Sequence, residues 1–424
     1  MELNKYIEKT YGNNPLWYES EVNQIYQQSR VNKVVSYKEY LKGNHAIKYR
    51  PDVIHNGETF TTSKMILQTL KAIINFKNTY IMGNKVTLSG SDDVVDSYTL
   101  TYRKGHFHKS NFSIVNSINS YGDAFEYIYF KDMKVMSKVI DSADAYPIYN
   151  DKMEYIGFIE HYSDVVSGVS TYIVYDKENV REYSNEGGQM QEVNRYVNLS
   201  GLPIHYKNTD DLFGTSVIDD LKPIIDKLEI LINRMDDSIY TLSLNPLGVV
   251  SGQRLSETMD SEAIGYVLNL EDGAEFKYAV ALLDSQSIKL LIDTLMTQLF
   301  VVAQVPSTIF GQSNIANVSE ISLKLLYTLA DNAGKELSIY LREGFDIRHE
   351  HMYKLLSRSG NVLSSDIVDV VFNYNRPIDT KEKIEMLSKQ YNDKAMSLET
   401  YIEQSPLTEN TRQEVTRIMS VNNE

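Results

Sequence analysis

The residues able to do chemistry are two histidine pairs and four acidic doublets. His106/His108 and His349/His351 are each spaced two apart. That spacing shares a face on a strand but not on a helix. The second pair falls in a long helical pattern and is badly placed to chelate, and the first lies beside Gly105 at an expected strand end with no third ligand in view. Both therefore read as ordinary surface histidines, and no metal site is expected. Asp92/Asp93, Asp210/Asp211, Asp219/Asp220 and Asp236/Asp237 raise a two-metal nuclease or acid-cluster hydrolase as the alternative reading. Such sites need carboxylates converging from several elements. Here the doublets fall at expected helix ends and loops, where capping and solvation account for them.

Other catalytic patterns are missing. No phosphate-cradling G-x-x-x-x-G-K-S/T loop and no dinucleotide G-x-G-x-x-G occurs. There is no G-x-S-x-G elbow, and with no cysteine there is no thiol nucleophile, disulfide or thiolate metal site. No enzyme activity, cofactor or catalytic residue is expected.

The elements around these residues change character along the chain. Residues 1–90 read as mainly helical, with Ile66, Leu67, Leu70, Ile73 and Ile74 on one face of a segment from Ser63 to Lys77. From Ser97 to Tyr206 short β-type runs follow: Tyr98–Tyr102, Phe125–Tyr129, Tyr155–Ile159 and Thr171–Tyr175. Turn clusters separate them, and an antiparallel meander with Tyr-rich, half-buried faces is expected.

Near Gly214 the pattern turns helical again. Ser216 and Asp219 form a weak capping box. Leu221, Ile224, Leu228, Leu231 and Met235 make a helix seam that Asn245-Pro246 stops. A small β-unit follows, with one strand at Leu247–Val250 and a hairpin of Tyr266–Leu270 and Glu275–Tyr278 across Glu271, Asp272 and Gly273. A second helix runs from Ser285 to Gln304 with the seam Ile288, Leu291, Leu295, Leu299 and Val302 and only Lys289 and Asp293 as charges. A helix so poor in charge must be covered on most sides, by its own chain or by neighbouring copies.

Pro306 to Ser319 carries no charge at all. Glu320 to Arg358 is one helical pattern, roughly 60 Å long at 1.5 Å per residue. Gly334 and Gly344 are its expected bend points and Gly360 its C-cap. A strand from Ile367 to Phe372 and a polar helical unit from Thr380 complete an α+β chain.

At 424 residues two or three packed units are expected. The 42% hydrophobic and 23% charged content is that of a globular protein. The start carries no secretion signal, and the strongest apolar run, Leu299 to Ala303, is too short to span a membrane. A soluble chain without membrane contact is expected. The formal net charge of −15 argues against tight nucleic-acid binding but not against a wall that DNA slides past.

Several segments resemble the portal proteins of long-tailed bacteriophages and prophages. Tyr40-Leu41-Lys42-Gly43-Asn44-His45-Ala46-Ile47 is similar to that family's Y-Y-x-G-x-x-x-I segment, with Leu41 in place of the second aromatic. Asn78 to Val86 is similar to its Y-x-x-G-N-P-V segment, with Lys85 where proline is common. Ala124-Phe125-Glu126 and Tyr146-Pro147-Ile148-Tyr149 resemble its meander. The run from Thr215 to Gly360 follows its order of stem helix, clip, second stem helix, tunnel loop and long helix.

The resemblance implies a wing over residues 1–213, stem helices over 214–239 and 282–305, and a clip over 240–281. It also implies a tunnel loop over 306–319, a long bent helix and return strand over 320–374, and a crown over 375–424. It further implies a ring of twelve copies at a capsid vertex, built in the host cytoplasm, in a phage or in a related gene-transfer particle. Double-stranded DNA would pass through it without tight binding. Its partners would be terminase, head-completion and tail-adaptor proteins, and major capsid and scaffolding proteins. Within that frame Thr308, Gln312, Ser313, Asn314 and Asn317 are the expected DNA-facing residues of the tunnel loop. Glu271, Asp272 and Gly273 mark the expected docking surface of the clip.

Overall fold

The computed structural model describes residues 3–55, 58–239, 247–252, 272–279, 285–306, 320–358, 368–376, 380–408 and 411–422. Helices α1 (Leu3–Tyr11), α2 (Trp17–Val22) and α3 (Ile25–Leu41) open the chain, then a short hairpin of β1 (Val53–His55) and β2 (Glu58–Phe60). Residues 61–67 run extended before α4 (Thr69–Met82). The expected helix from Ser63 therefore starts six residues late. Its first residues give their backbone N–H groups to side chains of another helix, described below, so they have no use for a helical ladder.

Strand β3 (Thr87–Ser89) precedes α5 (Asp92–Lys104) and α6 (Phe107–Tyr121). Tyr98–Tyr102 is thus helical, not a strand. The alternation of Tyr98, Leu100 and Tyr102 imitates period two, but Val94, Tyr98 and Tyr102 also repeat every four residues, and Val94 and Tyr98 are buried. Asp92 and Asp93 in the first turn and Arg103 and Lys104 in the last suit the helix dipole, which decides the competition.

The meander forms as two antiparallel sheets. β4 (Ala124–Lys131) pairs with β5 (Lys134–Ile140) and later with β11 (Ile204–Tyr206). β6 (Ala145–Tyr149), β7 (Tyr155–Ser163), β8 (Ser170–Tyr175), β9 (Asn179–Ser184) and β10 (Gln191–Val197) make a five-stranded sheet in chain order. Phe125, Tyr127, Phe158, Tyr175 and Val180 fill the space between the sheets. Trp17, Tyr18 and Val22 cover the outer face of the larger one beside Ile148 and Ile159. The tyrosines are mostly sheet and helix core, as half-buried pleated positions favour.

Helix α7 (Val217–Ile239) follows, then β12 (Leu247–Ser251) paired antiparallel with β13 (Glu275–Ala279), then α8 (Ser285–Ala303). The expected strand at Tyr266–Leu270 lies outside the described residues. Ser216 caps α7 by accepting from Ile218 N at 3.0 Å while donating to Ser120 O. The capping box is not completed, because Asp219 instead receives Tyr37 Oη and Lys33 Nζ.

Helix α9 (Glu320–Arg358), β14 (Asp369–Val371, paired with β3) and the terminal helices α10 (Thr380–Asn392), α11 (Leu398–Gln404) and α12 (Thr411–Asn422) complete the chain. The C-terminal half of α9 runs through the main core with α6, β4 and β14. That placement overturns the surface reading of His349 and His351, each 7% exposed. Gly344 serves close packing: a Cβ there would stand 2.2 Å from the Tyr206 ring. Gly360, the expected C-cap, lies outside the described residues.

Candidate functional site

Helix α7 is gripped on two faces. Ile218, Leu221, Ile225 and Leu228 are buried against Leu299, Phe300 and Ala303 of α8 and against Leu70, Ile73 and Ile74 of α4. On the neighbouring face, acceptors one turn apart meet the extended strap of residues 61–67. Asp237 Oδ1 accepts from Ser63 N at 2.7 Å, Asn233 Oδ1 from Met65 N at 2.5 Å, and Glu229 Oε1 from Leu67 N at 2.8 Å. Asn233 Nδ2 returns a bond to Met65 O. Four helical residues rise about 6 Å and two extended residues about 6.7 Å, so side chains of a helix stand in for a partner strand over three successive N–H groups.

Further N-terminal groups extend the same grip. His45 Nδ1 meets Glu229 Oε1 at 2.5 Å with both side chains buried, Tyr40 Oη donates to Asp226, and Arg50 pairs with Asp237. Burial, and then the carboxylate each one meets, raise the hydroxyl pKa of Tyr37 and of Tyr40. These phenols remain donors.

Helix α8 is held at its C-terminal end. Gln304 takes a left-handed φ of 55°, Val305 N closes on Phe300 O, and Lys77 Nζ donates to Ala303 O at 2.9 Å. A cation there suits the negative end of the helix. Lys77 lines a cavity of about 270 Å³ with Asp220, Glu336 and Gln304, and burial pulls its amine down to about 8. This anchor fixes the point from which the uncharged segment after Pro306 leaves.

Elsewhere α8 is open. Its buried face is Leu299, Phe300 and Ala303, with Ile292, Leu295 and Met296 partly buried. Leu291 and Val302 of the expected seam are exposed, as are Leu290 at 68% and Val301. The stretch Gln286–Ala303 is long and apolar enough to cross a membrane by length and composition, and 17% of it is buried. The sequence expectation rested on uninterrupted apolar runs and missed this average. Among the described residues, nothing of its own chain covers the rest of this apolar helix.

Of the expected site residues, Thr308, Gln312, Ser313, Asn314, Asn317 and Glu271 lie outside the described residues. Asp272 and Gly273 are exposed in the turn before β13, Gly273 with φ +91°. The structure does not gather the acidic doublets. Asp92/Asp93 and Asp219/Asp220 open helices, Asp236/Asp237 close one, and Asp210/Asp211 sit in a loop. Among the described residues no three His, Asp or Glu side chains converge to hold a metal. Sequence reading missed the strap acceptors: their i, i+4, i+8 spacing at Glu229, Asn233 and Asp237 puts them on one helix face, but nothing local says what that face would hold.

The sequence matches a family model described as phage portal protein, SPP1 Gp6-like, over residues 24–424. Comparison with curated proteins gives no match. Among solved structures, the chain is similar to one from the neck of an empty GTA particle computed with C6 symmetry. The TM-score is 0.46 at 10% identity, covering 82% of this chain and 88% of that one. One from the neck of a native GTA particle computed with C12 symmetry gives 0.45 at 12% identity, covering 80% and 89%. With the match running from the start of α3 to residue 424, the chain belongs to the phage portal protein family, SPP1 Gp6-like.

Proposed function

We propose that this portal protein works as one copy of a closed ring of twelve that forms the DNA channel at a capsid vertex, assembled in the host cytoplasm. The observation that carries this reading is the open face of α8. Leu290, Leu291, Val301 and Val302 stand exposed on a helix whose C-terminal end and opposite side are fixed. Exposed apolar side chains grouped on one helix face mark a protein interface. Copies packed around an axis cover it and leave a hole.

The segment 306–319 then faces the hole, where Thr308, Gln312, Ser313, Asn314 and Asn317 offer neutral hydrogen-bonding groups to phosphate. Twelve copies at −15 each give a ring of about −180, which keeps DNA mobile. Replacing Gln312 and Asn314 together by Trp is expected to reduce packaged DNA and its retention while rings still form. Full packaging and retention in that variant would sink this role for the segment.

The pair β12–β13 is the core of the clip. Two strands bury too little to be stable alone, so neighbouring clips pair, and Glu271, Asp272 and Gly273 present the docking surface for terminase and then for head-completion and tail-adaptor proteins. Major capsid and scaffolding proteins meet the wing. A chain lacking 247–279 that still formed rings and recruited terminase would contradict the docking role.

A further inference from the structure

Helix α7 has three faces, and among the described residues the fold uses two of them. One packs on α8 and α4, and one holds the strap. At 100° per residue the third carries Pro223, Lys227, Ile230 and Arg234, all exposed. Helix α8 has one large open face carrying Leu290, Thr294, Thr297 and Val301, with exposed Asp293 beside them. The Thr294 and Thr297 hydroxyls donate to the Leu290 and Asp293 carbonyls of their own helix at 2.7 Å. They ask nothing of a partner and leave methyl groups to pack.

The two open faces match in height. The helices run antiparallel, and Leu221 and Val302 line the same cavity. Nine residues onward from Leu221 and nine back from Val302 climb the same distance, roughly 14 Å. That brings Ile230 and Asp293 level, with Lys227 and Arg234 about one turn to either side. In a ring whose axis follows the stem, passing from copy to copy moves a residue around the axis and not along it.

Resting on the ring reading above, we infer that the open face of α8 in one copy seats on the open face of α7 in the next. Asp293 then lies between Lys227 and Arg234, and Leu290 and Val301 cover Ile230 and Pro223. The contact joins two different patches, the head-to-tail kind that closes a ring. Its charges complement at the level of Asp293, where the α7 face carries Lys227 and Arg234; the exposed Asp219 and Asp220 of α7 lie about a turn before Pro223, away from that level, and Lys289 lies off the middle of the α8 face.

The absence of cysteine makes the test direct. Ile230→Cys with Thr294→Cys, assembled and oxidised, is expected to give a covalent ladder of multiples of the chain, and neither single variant should. Asp293→Lys is expected to cut the ringed fraction at least tenfold, and adding Lys227→Glu and Arg234→Glu should restore it. Rings that form normally without a ladder and ignore Asp293→Lys would overturn this interface and leave the ring reading standing. A wild-type chain that stays monomeric under all assembly conditions would overturn both.

Discussion

The Arg348 guanidinium lies 2.8 Å from the Glu126 carboxylate, and neither side chain has any exposure to solvent. Through this pair the long helix α9 is bound to β4, the central strand of the three-stranded sheet. Asn111 accepts a second Arg348 bond at 2.6 Å, Tyr206 Oη donates to Glu126 at 2.6 Å, and the Phe345 ring lies 4.4 Å from the guanidinium. Breaking a buried pair from one side leaves an uncompensated charge. Arg348→Met and Glu126→Gln are each expected to lower the stability of the isolated chain by about 3–5 kcal/mol, read as a lower urea midpoint at unchanged slope.

The same helix carries an acid sensitivity. Burial pulls His349 and His351 each down to about 4. Between that value and about 6.5 the unfolded chain binds more protons than the folded one, so stability rises with pH and is lost on acidification through this window. Asp144, pushed up to about 6 by burial, acts with the opposite sign and offsets part of the loss. Replacing both histidines by Gln is expected to flatten the pH 4–6.5 limb, where each contributes on the order of 3 kcal/mol. Melting temperature against pH measures it.

Gly344→Ala tests close packing against helix propensity. In an open helix this change stabilises by about 0.5–1 kcal/mol. Here the added carbon would meet the buried Tyr206 ring at 2.2 Å, and overpacking costs about 1–3 kcal/mol. Destabilisation is expected in chemical denaturation.

The strap gives a local test. Asn233→Ala removes the acceptor for Met65 N and the donor to Met65 O. A loss of about 1–3 kcal/mol is expected, with faster amide exchange at Met65. Exchange unchanged at Met65 would show that water satisfies the group equally well.

How far these features were legible depends on their physical origin. The helices α7, α8 and α9 were readable because apolar seams, the Pro306 stop and the charge pattern all point the same way. α5 was misread because Val94, Tyr98 and Tyr102 satisfy two periods at once, and only the charges at its ends separate them. The strap was invisible because its order comes from side chains about 170 residues away, which no local propensity registers. His349 and His351 were misjudged since a helix of this length reads as a surface element, while its second half runs through the core. The open face of α8 was anticipated only as a shortage of charge, and that of α7 not at all. Which residues form them needed the packing.

In the proposed ring each copy's open α8 face is covered by its neighbour. Electron microscopy of the purified full-length chain, paired with its native mass, addresses that directly. The expected result is a twelve-copy annulus with a central hole wide enough for duplex DNA, about 20 Å. A chain that stays monomeric at high concentration, with the α8 face still open to solvent, would contradict it.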